Sequence, residues 1–302
     1  MIASATEIVH ALGLGEFQVG RSHECDFPAS VLGLPVVTRP RFDVHGTCQE
    51  IDTRVRETLA SAGSVYEVLI ESMDPLEPTH ILTQTQCKVC AVSFEDVERA
   101  LSESVRNRPR VVALEPNSLA DIWNDIQRVA DRCDATERGV RLVDTLQARM
   151  AAISRVAAKA KGTKRRVACI EWQQPLMAAG NWVPELIEMI GAVNLFGEAG
   201  KHSPWMSFGD LRDSDPDVIL VMPCGYSLAQ TRAEMHWLED RPEWALMPLK
   251  RAEVYLLDGN QYLNRPGPRV VESLQMLAEI LFPEQFAPTL GGGLGWERRA
   301  RL

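Results

Sequence analysis

The sequence predicts an α/β protein of two Rossmann-like lobes joined by a single long backbone helix. Short apolar strands alternate with helices on both sides of the chain's centre, which is typical of parallel α/β layers. No strand pattern interrupts residues 119–161, and 302 residues are enough for about two domains. We therefore expect an N-terminal lobe (1–118), a helical connection (119–162), a C-terminal lobe (163–284) and a mobile tail (285–302).

The N-terminal lobe begins with a helix, because Ser4 and Glu7 form a capping box ahead of an apolar stripe. A second helix is expected over 50–62, where apolar residues recur every four positions, and a third over 93–106 with Ser93 as its N-cap. The strands of this lobe are expected at 18–21, 36–38, 64–68, 80–83 and 110–114.

Two helices fill the centre of the chain. The first carries an apolar stripe from Leu119 to Ala130, and the second begins at Asp134 and Glu137. The second ends near Gly162 and is about 40 Å long at 1.5 Å per residue. Beyond it, strands are expected at 166–171, 217–222 and 253–257, and helices at 183–190, 207–211, 229–238 and 268–282.

Charge and composition exclude several classes of protein. The 32 basic and 41 acidic residues give a net charge of −9, which disfavours nucleic acid as a partner. No apolar stretch approaches the roughly 20 residues that cross a bilayer, so we expect no membrane insertion. The first residues lack a basic flank and an apolar core. As written, the chain is expected to be cytoplasmic, and periplasmic or at the cell surface if its true start lies upstream.

Polar and aromatic clusters follow four of the predicted strands. They occupy residues 23–28, 83–90, 171–182 and 261–268. Open α/β sheets bind their ligands at the loops that follow the carboxyl ends of strands. Because two clusters fall in each lobe, the sequence predicts a ligand cleft between the lobes.

Tryptophans distinguish the C-terminal lobe. Trp172, Trp182 and Trp205 lie in loops or at the starts of elements, outside any helical apolar stripe. Indole rings in such loops offer a large apolar area, which suits a broad, flat ligand. The tryptophans that lie within helical patterns, and are expected in the core, are Trp123, Trp237 and Trp244.

Cys87 and Cys90 carry the main enzymatic alternative. A C-x-x-C pair is found in redox dithiols and in zinc sites, and Cys25, His23 or Cys48 are the candidate further zinc ligands. The alternatives without chemistry are packing of two small thiols where a strand turns, and lining of a cleft. The seven cysteines form an odd, scattered set, which favours a reducing compartment.

Other catalytic constellations are weaker. His23, Cys25 and Asp26 are neighbours on one loop, whereas triads assemble in space from separate segments. No glycine-rich phosphate loop is present. We therefore expect a non-enzymatic protein, with a zinc or thiol-redox enzyme as the alternative of another class.

The clusters resemble those of a known family, the cobalamin-binding branch of the iron-chelate and cobalamin substrate-binding proteins of ABC importers. The resemblance covers about residues 4–283. The segments that carry it are Ser4–Val9, His23–Asp26, Thr83-Gln84, Cys87, Cys90–Ser93, Glu171-Trp172, Gly180–Glu185 and Asn264–Arg269.

This resemblance implies a corrinoid, cobalamin or a relative, held between the lobes without a covalent cofactor. It also implies an ABC permease as partner, and we expect a monomer. By position, Phe27, Gln86, Trp205 and Tyr262 match places where such proteins touch the ligand. The full set of candidate ligand-binding residues is His23, Asp26, Phe27, Arg39, Gln84, Gln86, Cys87, Trp172, Trp182, Trp205, Tyr262 and Arg265.

A binder of iron-siderophore or haem is the rival within the same class. Such a protein needs cations to meet an anionic chelate. The candidate loops offer Arg39, Arg41 and Arg265.

Overall fold

The predicted alternation of strands and helices is confirmed in the computed structural model, which describes residues 1–85, 97–98, 108–246 and 252–300. The chain divides into two units. Unit 1 comprises Met1–Pro116 and Ala120–Thr145, and unit 2 comprises Asn117–Leu119 and Leu146–Leu302. The residues expected to form a separate helical connection are thus shared between the two units.

Unit 1 contains two small sheets. Strands β3 and β4 are parallel, in a register that pairs His80 with Arg110 and Gln84 with Leu114. Strands β1 and β2 are antiparallel and pair Thr38 with Val68. The core beneath them contains Val37, Val65, Tyr66, Met73, Ile81 and Val97. The elements are β1 (Thr38–Pro40), β2 (Tyr66–Val68), β3 (His80–Gln84), β4 (Arg110–Leu114), α1 (Ala3–Ala11), α2 (Cys48–Ala62), α3 (Ile70–Met73), α4 (Leu119–Arg132) and the first part of α5 (Thr136–Ala157).

Two expectations for unit 1 are wrong. Residues 18–21 form no strand and make only a single parallel bridge, between Arg21 and Val36. A further hydrogen bond of this parallel pair would need the N–H of residue 35. Residue 35 is a proline and has no N–H, so the pairing stops there. Helix α1 begins two residues earlier than expected, with Ile2 at its N-cap position, so Ser4 is buried in its first turn and caps nothing.

A capping box lies at Thr47, whose Oγ1 accepts from the N–H of Glu50 while the Glu50 carboxylate accepts from Thr47. The helix expected over 93–106 lies mostly outside the described residues.

Unit 2 is built on one mixed sheet, in the order β10-β9-β8-β5-β6, with β7 also paired to β5. Strands β5, β8 and β9 are parallel. All four residues of β8 are buried, as in a central parallel strand covered on both faces. Its elements are β5 (Arg166–Gln173), β6 (Leu176–Ala178), β7 (Val193–Asn194), β8 (Val218–Val221), β9 (Glu253–Leu257), β10 (Trp296–Arg298), α6 (Val183–Met189), α7 (Phe208–Asp213), α8 (Leu228–Ala233), α9 (His236–Glu239), α10 (Pro242–Leu246) and α11 (Val270–Leu281).

The long central helix is confirmed as α5. It spans 22 residues, or about 33 Å, and belongs to unit 1 up to Thr145 and to unit 2 from Leu146. It begins later than expected because Asp134 has a φ of 55°, a left-handed conformation that separates α5 from α4. The helix expected over 229–238 is divided into α8 and α9. None of the helices in the described ranges combines the length and the apolar character that crossing a bilayer requires.

Up to residue 300 the C-terminal segment forms regular contacts with unit 2, which corrects the expectation of a mobile tail from residue 285. Strand β10 pairs antiparallel with β9, and the Trp296 ring packs edge-on against Tyr255 with centroids 5.6 Å apart. The buried Glu279 of α11 holds this segment, since its carboxylate accepts hydrogen bonds from Thr289, from the N–H of Leu290 and from the Trp296 indole. Burial alone would raise the pKa of Glu279, but these hydrogen bonds bring the pKa below 4.5.

Replacing Glu279 with glutamine is expected to lower the free energy of unfolding by about 1–3 kcal/mol at neutral pH, because buried donors lose a charged acceptor. The folded-state pKa is lowered, so this stabilisation is present above pH 4.5 and is lost as the pH falls through the folded value. Denaturant unfolding at about pH 7 and about pH 3 measures both effects. Glu284→Gln, at an exposed neighbouring position, is the control. A difference between Glu279→Gln and the parent that does not shrink in acid would contradict the assignment.

Candidate functional site

The candidate residues of unit 2 follow parallel strands. Because β5, β8 and β9 run in the same direction, their carboxyl ends meet at one edge of the sheet. Trp172 lies at the end of β5, Tyr226 follows β8, and Tyr262 follows β9. This edge is where open α/β sheets place their ligand-binding loops.

Trp172 is held firmly at this edge. Its indole N–H donates to the carbonyl of Gln174 at 3.0 Å, and its ring meets Tyr226 edge-on with centroids 5.4 Å apart. The arrangement leaves the indole half-buried, in a fixed orientation. The sequence analysis did not identify Tyr226 as a candidate. Its position directly after the buried strand β8, beside the turn at Gly225, is typical of a ligand-binding loop residue and could have indicated it.

The other two candidate tryptophans, Trp182 and Trp205, differ in how exposed their side chains are. Trp182 is only 5% exposed, so its indole belongs to the interior of unit 2. This contradicts the expectation that Trp182 faces a ligand, and it follows from the position of Trp182 at the start of the buried helix α6. Trp205 is 59% exposed and is tied by a backbone bridge to Met177 of β6.

Glu171 organises the loops beside Trp172. Its carboxylate accepts from Ser203 Oγ at 2.7 Å, and the same hydroxyl accepts from the N–H of Gly180 at 3.1 Å. A side chain at Gly180 would lie 2.6 Å from the carbonyl oxygen of Lys201, so this close approach requires glycine. The segment around Gly180 and Asn181 therefore holds the loop at Lys201 and Ser203 beside Glu171.

The Asp258 side chain caps the loop that follows β9. The Asp258 carboxylate accepts from the N–H of Gln261 at 2.7 Å, and burial raises the pKa of Asp258. Arg265 is 5% exposed and donates to the Asn260 side-chain oxygen at 3.2 Å, so it positions this loop and does not offer its charge to a ligand as expected. The Arg269 guanidinium lies 5.5 Å from the centroid of the Tyr262 ring.

His23 is the best-defined candidate of unit 1. Its Nδ1 lies 2.8 Å from Thr38 Oγ1, and its ring packs against Tyr66 with centroids 5.1 Å apart. The Tyr66 hydroxyl donates to Glu24 at 3.2 Å. Burial, and secondarily the charge of Arg21, lowers the pKa of His23 to about 4. The imidazole is therefore neutral at physiological pH.

The loop that begins at His23 does not assemble a nucleophile. Cys25 is buried, with its sulfur 3.1 Å from Thr6 Oγ1, while the His23 ring faces Thr38. Phe27, by contrast, is 43% exposed, and Asp26 is partly exposed beside it. An exposed aromatic ring on a loop is suited to contact an apolar ligand.

The remaining candidates of unit 1 fall into three groups. Gln84 is 1% exposed, and no group among the described residues pairs with its amide nitrogen. Arg39 is exposed and forms an ion pair with Glu67 at 2.9 Å. Gln86, Cys87 and Cys90 lie outside the described residues. In the part of the chain that the structure describes, no three histidine, cysteine or acidic residues gather as a metal site.

A comparison with known families decides the class of the protein. Residues 3–260 match the family described as periplasmic binding protein. The chain belongs to the periplasmic binding protein family. The resemblance found in the sequence is thereby confirmed at the level of the family, and the fold class with it.

Individual relatives of this periplasmic binding protein are distant. It is 20% identical to the vitamin B12-binding protein of Vibrio vulnificus over 275 residues, 91% of this chain and 86% of that protein. A periplasmic haem-binding protein of Pseudomonas aeruginosa has a TM-score of 0.70 at 17% identity, covering 99% of this chain and 96% of that one. The periplasmic vitamin B12-binding protein of Vibrio cholerae has a TM-score of 0.64 at 18% identity, covering 94% and 96%. At these identities the two structures show a shared fold and nothing finer.

We expect the His23 ring to stay neutral until the pH falls to about 4, which NMR titration of its ring protons measures. Because the folded pKa lies below the ordinary 6.5, His23 stabilises the fold less as the pH falls from 6.5 to 4. Arg21→Gln removes a repelling positive charge and should raise the midpoint. Arg39→Gln, at an exposed position, should leave it unchanged. A midpoint near 6.5 in the parent would show that the ring is solvated and not packed as described.

Proposed function

We propose that this periplasmic binding protein holds a corrinoid, cobalamin or a close relative, in a non-covalent site and passes it unaltered to an ABC permease. The observation that carries the proposal is the Trp172–Tyr226 pair at the carboxyl edge of the parallel strands. A half-buried indole locked by a hydrogen bond and a ring contact presents a preformed flat surface. Such a surface matches the face of a large macrocycle.

One relative by sequence supports the same class of ligand. The Vibrio vulnificus protein that this chain matches over most of its length is named a vitamin B12-binding protein. Burial of apolar area is worth about 25 cal/mol per Å², so each well-covered tryptophan can contribute a few kcal/mol before ordering costs. That the candidate residues of unit 1, among them Phe27 and Asp26, bind this ligand stays a prediction from the sequence.

Haem is the second candidate, and one observation favours it. Tyr262 lies beneath the Arg269 guanidinium, and a phenolate oxygen is one of the axial ligands that haem iron accepts. The cation beside it would suit an anionic propionate. The Pseudomonas aeruginosa haem-binding protein shares the fold. The two proposals depend on different residues. Corrinoid binding depends on Trp172, and haem binding depends on Tyr262.

Titration of the purified chain with cyanocobalamin and with haem in parallel, followed by tryptophan fluorescence, distinguishes these candidates. We expect cyanocobalamin to bind more tightly. Trp172→Ala should weaken its binding at least about tenfold, because interface tryptophans typically contribute more than 1 kcal/mol. Trp205→Ala should weaken it by less.

Trp123→Phe, in helix α4 of unit 1, is the matched control and should leave the affinity unchanged. Tighter binding of haem that is lost in Tyr262→Phe would replace the corrinoid proposal with the haem proposal. Unchanged cyanocobalamin affinity in both alanine variants would show that the pocket lies elsewhere.

A double-mutant cycle tests the ring contact itself. Tyr226→Ala removes the ring against which Trp172 packs, and should weaken cyanocobalamin binding through loss of the indole's orientation. The effects of Tyr226→Ala and Trp172→Ala should not add, with a coupling of about 0.5–1.5 kcal/mol. Tyr226→Phe keeps the ring and should bind like the parent. Strict additivity of the two alanine variants would separate Tyr226 from the site.

A further inference from the structure

Residues 289–299, which include β10, lie against the loop that follows β9, and we call them the β10 segment. The N–H of Asp258, the first residue after β9, donates to the carbonyl of Gly295 at 2.8 Å. The Asp258 carboxylate in turn accepts from the N–H of Gln261. The β10 segment therefore fixes the main chain of Asp258, and the Asp258 side chain orders the loop that carries Tyr262.

Gly295 lies directly against the Tyr262 ring. Gly295 is buried, and a Cβ atom at this position would lie 3.2 Å from Tyr262 Cε2 and 2.8 Å from Met276 Cε. Both distances are shorter than an ordinary contact between carbon atoms, so any larger residue here displaces its neighbours. The absence of a side chain at residue 295 is what lets the ring approach the main chain of the β10 segment.

Helix α11 holds Tyr262 from a second direction. The Ser273 hydroxyl donates to the Tyr262 carbonyl, and the Arg269 guanidinium lies over the ring, 5.5 Å from its centroid. These contacts fix the main chain of Tyr262 and one face of the ring. The Cε2 edge of the ring meets Gly295. The position of the ring therefore depends on α11 and on the β10 segment together.

The β10 segment is itself anchored at both ends. The Arg299 guanidinium donates two hydrogen bonds to the Glu239 carboxylate, at 2.9 and 2.8 Å. The Arg232 guanidinium makes the same two-fold contact with Glu297, at 2.7 and 2.6 Å. Glu279 holds the other end through the N–H of residue 290. Paired hydrogen bonds between guanidinium and carboxylate groups fix geometry, so the segment supports the ring from a defined position.

We propose that Gly295 is a positioning residue of the ligand-binding site, through which the β10 segment sets the orientation of the Tyr262 ring. The inference rests on the proposed function in one respect, namely that Tyr262 contacts the ligand. A ring that is held in place before binding loses little freedom when a ligand covers it. The β10 segment therefore contributes to affinity through Tyr262.

The test replaces Gly295 with alanine, alone and in a Met276→Ala background. The second variant relieves the 2.8 Å contact, so that the fold tolerates the new methyl group while its contact with Tyr262 remains. Met276→Ala alone is the reference for it. The chain contains four tyrosines, so fluorine NMR of protein labelled with 3-fluorotyrosine follows each ring, and Tyr262→Phe assigns the Tyr262 signal. Without any ligand, Gly295→Ala should move this signal in both backgrounds and leave that of Tyr66, in unit 1, in place.

Affinity for cyanocobalamin provides the second measurement. Gly295→Ala should weaken binding at least about threefold, the loss expected when a side chain is forced off its preferred rotamer. In a Tyr262→Ala background the same substitution should have an effect of less than about 1.5-fold, because the ring on which it acts is gone. Leu294→Ala, at the exposed neighbouring position, is the matched control and should change neither the signal nor the affinity.

An unmoved Tyr262 signal in both Gly295→Ala variants would overturn the proposal, because the ring would then not sense residue 295. Equal losses of affinity from Gly295→Ala with and without the Tyr262 ring would also overturn it, since general loosening of unit 2 would then explain the effect. Failure of the parent to bind cyanocobalamin would contradict the proposed function instead. The ring signal alone then decides whether Gly295 positions Tyr262.

Discussion

The parallel pairing of β5, β8 and β9 determines where the candidate ligand-binding residues of unit 2 lie. Residues that are 50 to 90 positions apart in the chain meet because parallel strands end at the same edge of a sheet. The central strand β8 is buried on both faces, so its register cannot slip without exposing apolar side chains. The contact between Trp172 and Tyr226 depends directly on this register.

Burial of polar groups is the second constraint, and in unit 1 it acts in two opposite directions. Burial lowers the pKa of His23 to about 4, so this residue stabilises the fold more as the pH rises from 4 to 6.5. Burial raises the pKa of Asp125 to about 6 despite its ion pair with Arg128, so this carboxyl stabilises the fold less as the pH rises from 3.8 to 6. The two effects oppose each other across the same range.

The sequence predicted what depends on local periodicity. Strands β3, β4 and β9 and the helix α5 were predicted within a few residues, because apolar alternation and helical stripes are local signals. The family resemblance predicted the class of protein in the same way, from short contiguous motifs. What failed depended on how the folded chain packs each side chain, which local periodicity does not report.

Two residues and the C-terminal segment illustrate that failure. Trp182 looks like a loop tryptophan in the sequence, and only the packing of α6 shows that it is buried. Arg265 looks like a free cation, yet the fold of the loop after β9 directs it to Asn260. The tail was expected to be mobile because it is rich in glycine, but pairing of Trp296 with β9 and its hydrogen bond to Glu279 order it. None of these contacts leaves a trace in local composition.

Trp172 and Trp205 are suited to different parts of ligand binding. Trp205 has the larger exposed area, so covering it removes more apolar surface from water. Trp172 has less area to bury, but its indole is already fixed by Gln174 and Tyr226, so little rotational freedom is lost when a ligand covers it. Immobilising an adaptable side chain costs about 0.5–1.5 kcal/mol, which offsets part of what Trp205 gains. In the proposed site, Trp172 would therefore set the orientation and selectivity of a flat ligand, and Trp205 would add area once that orientation is established.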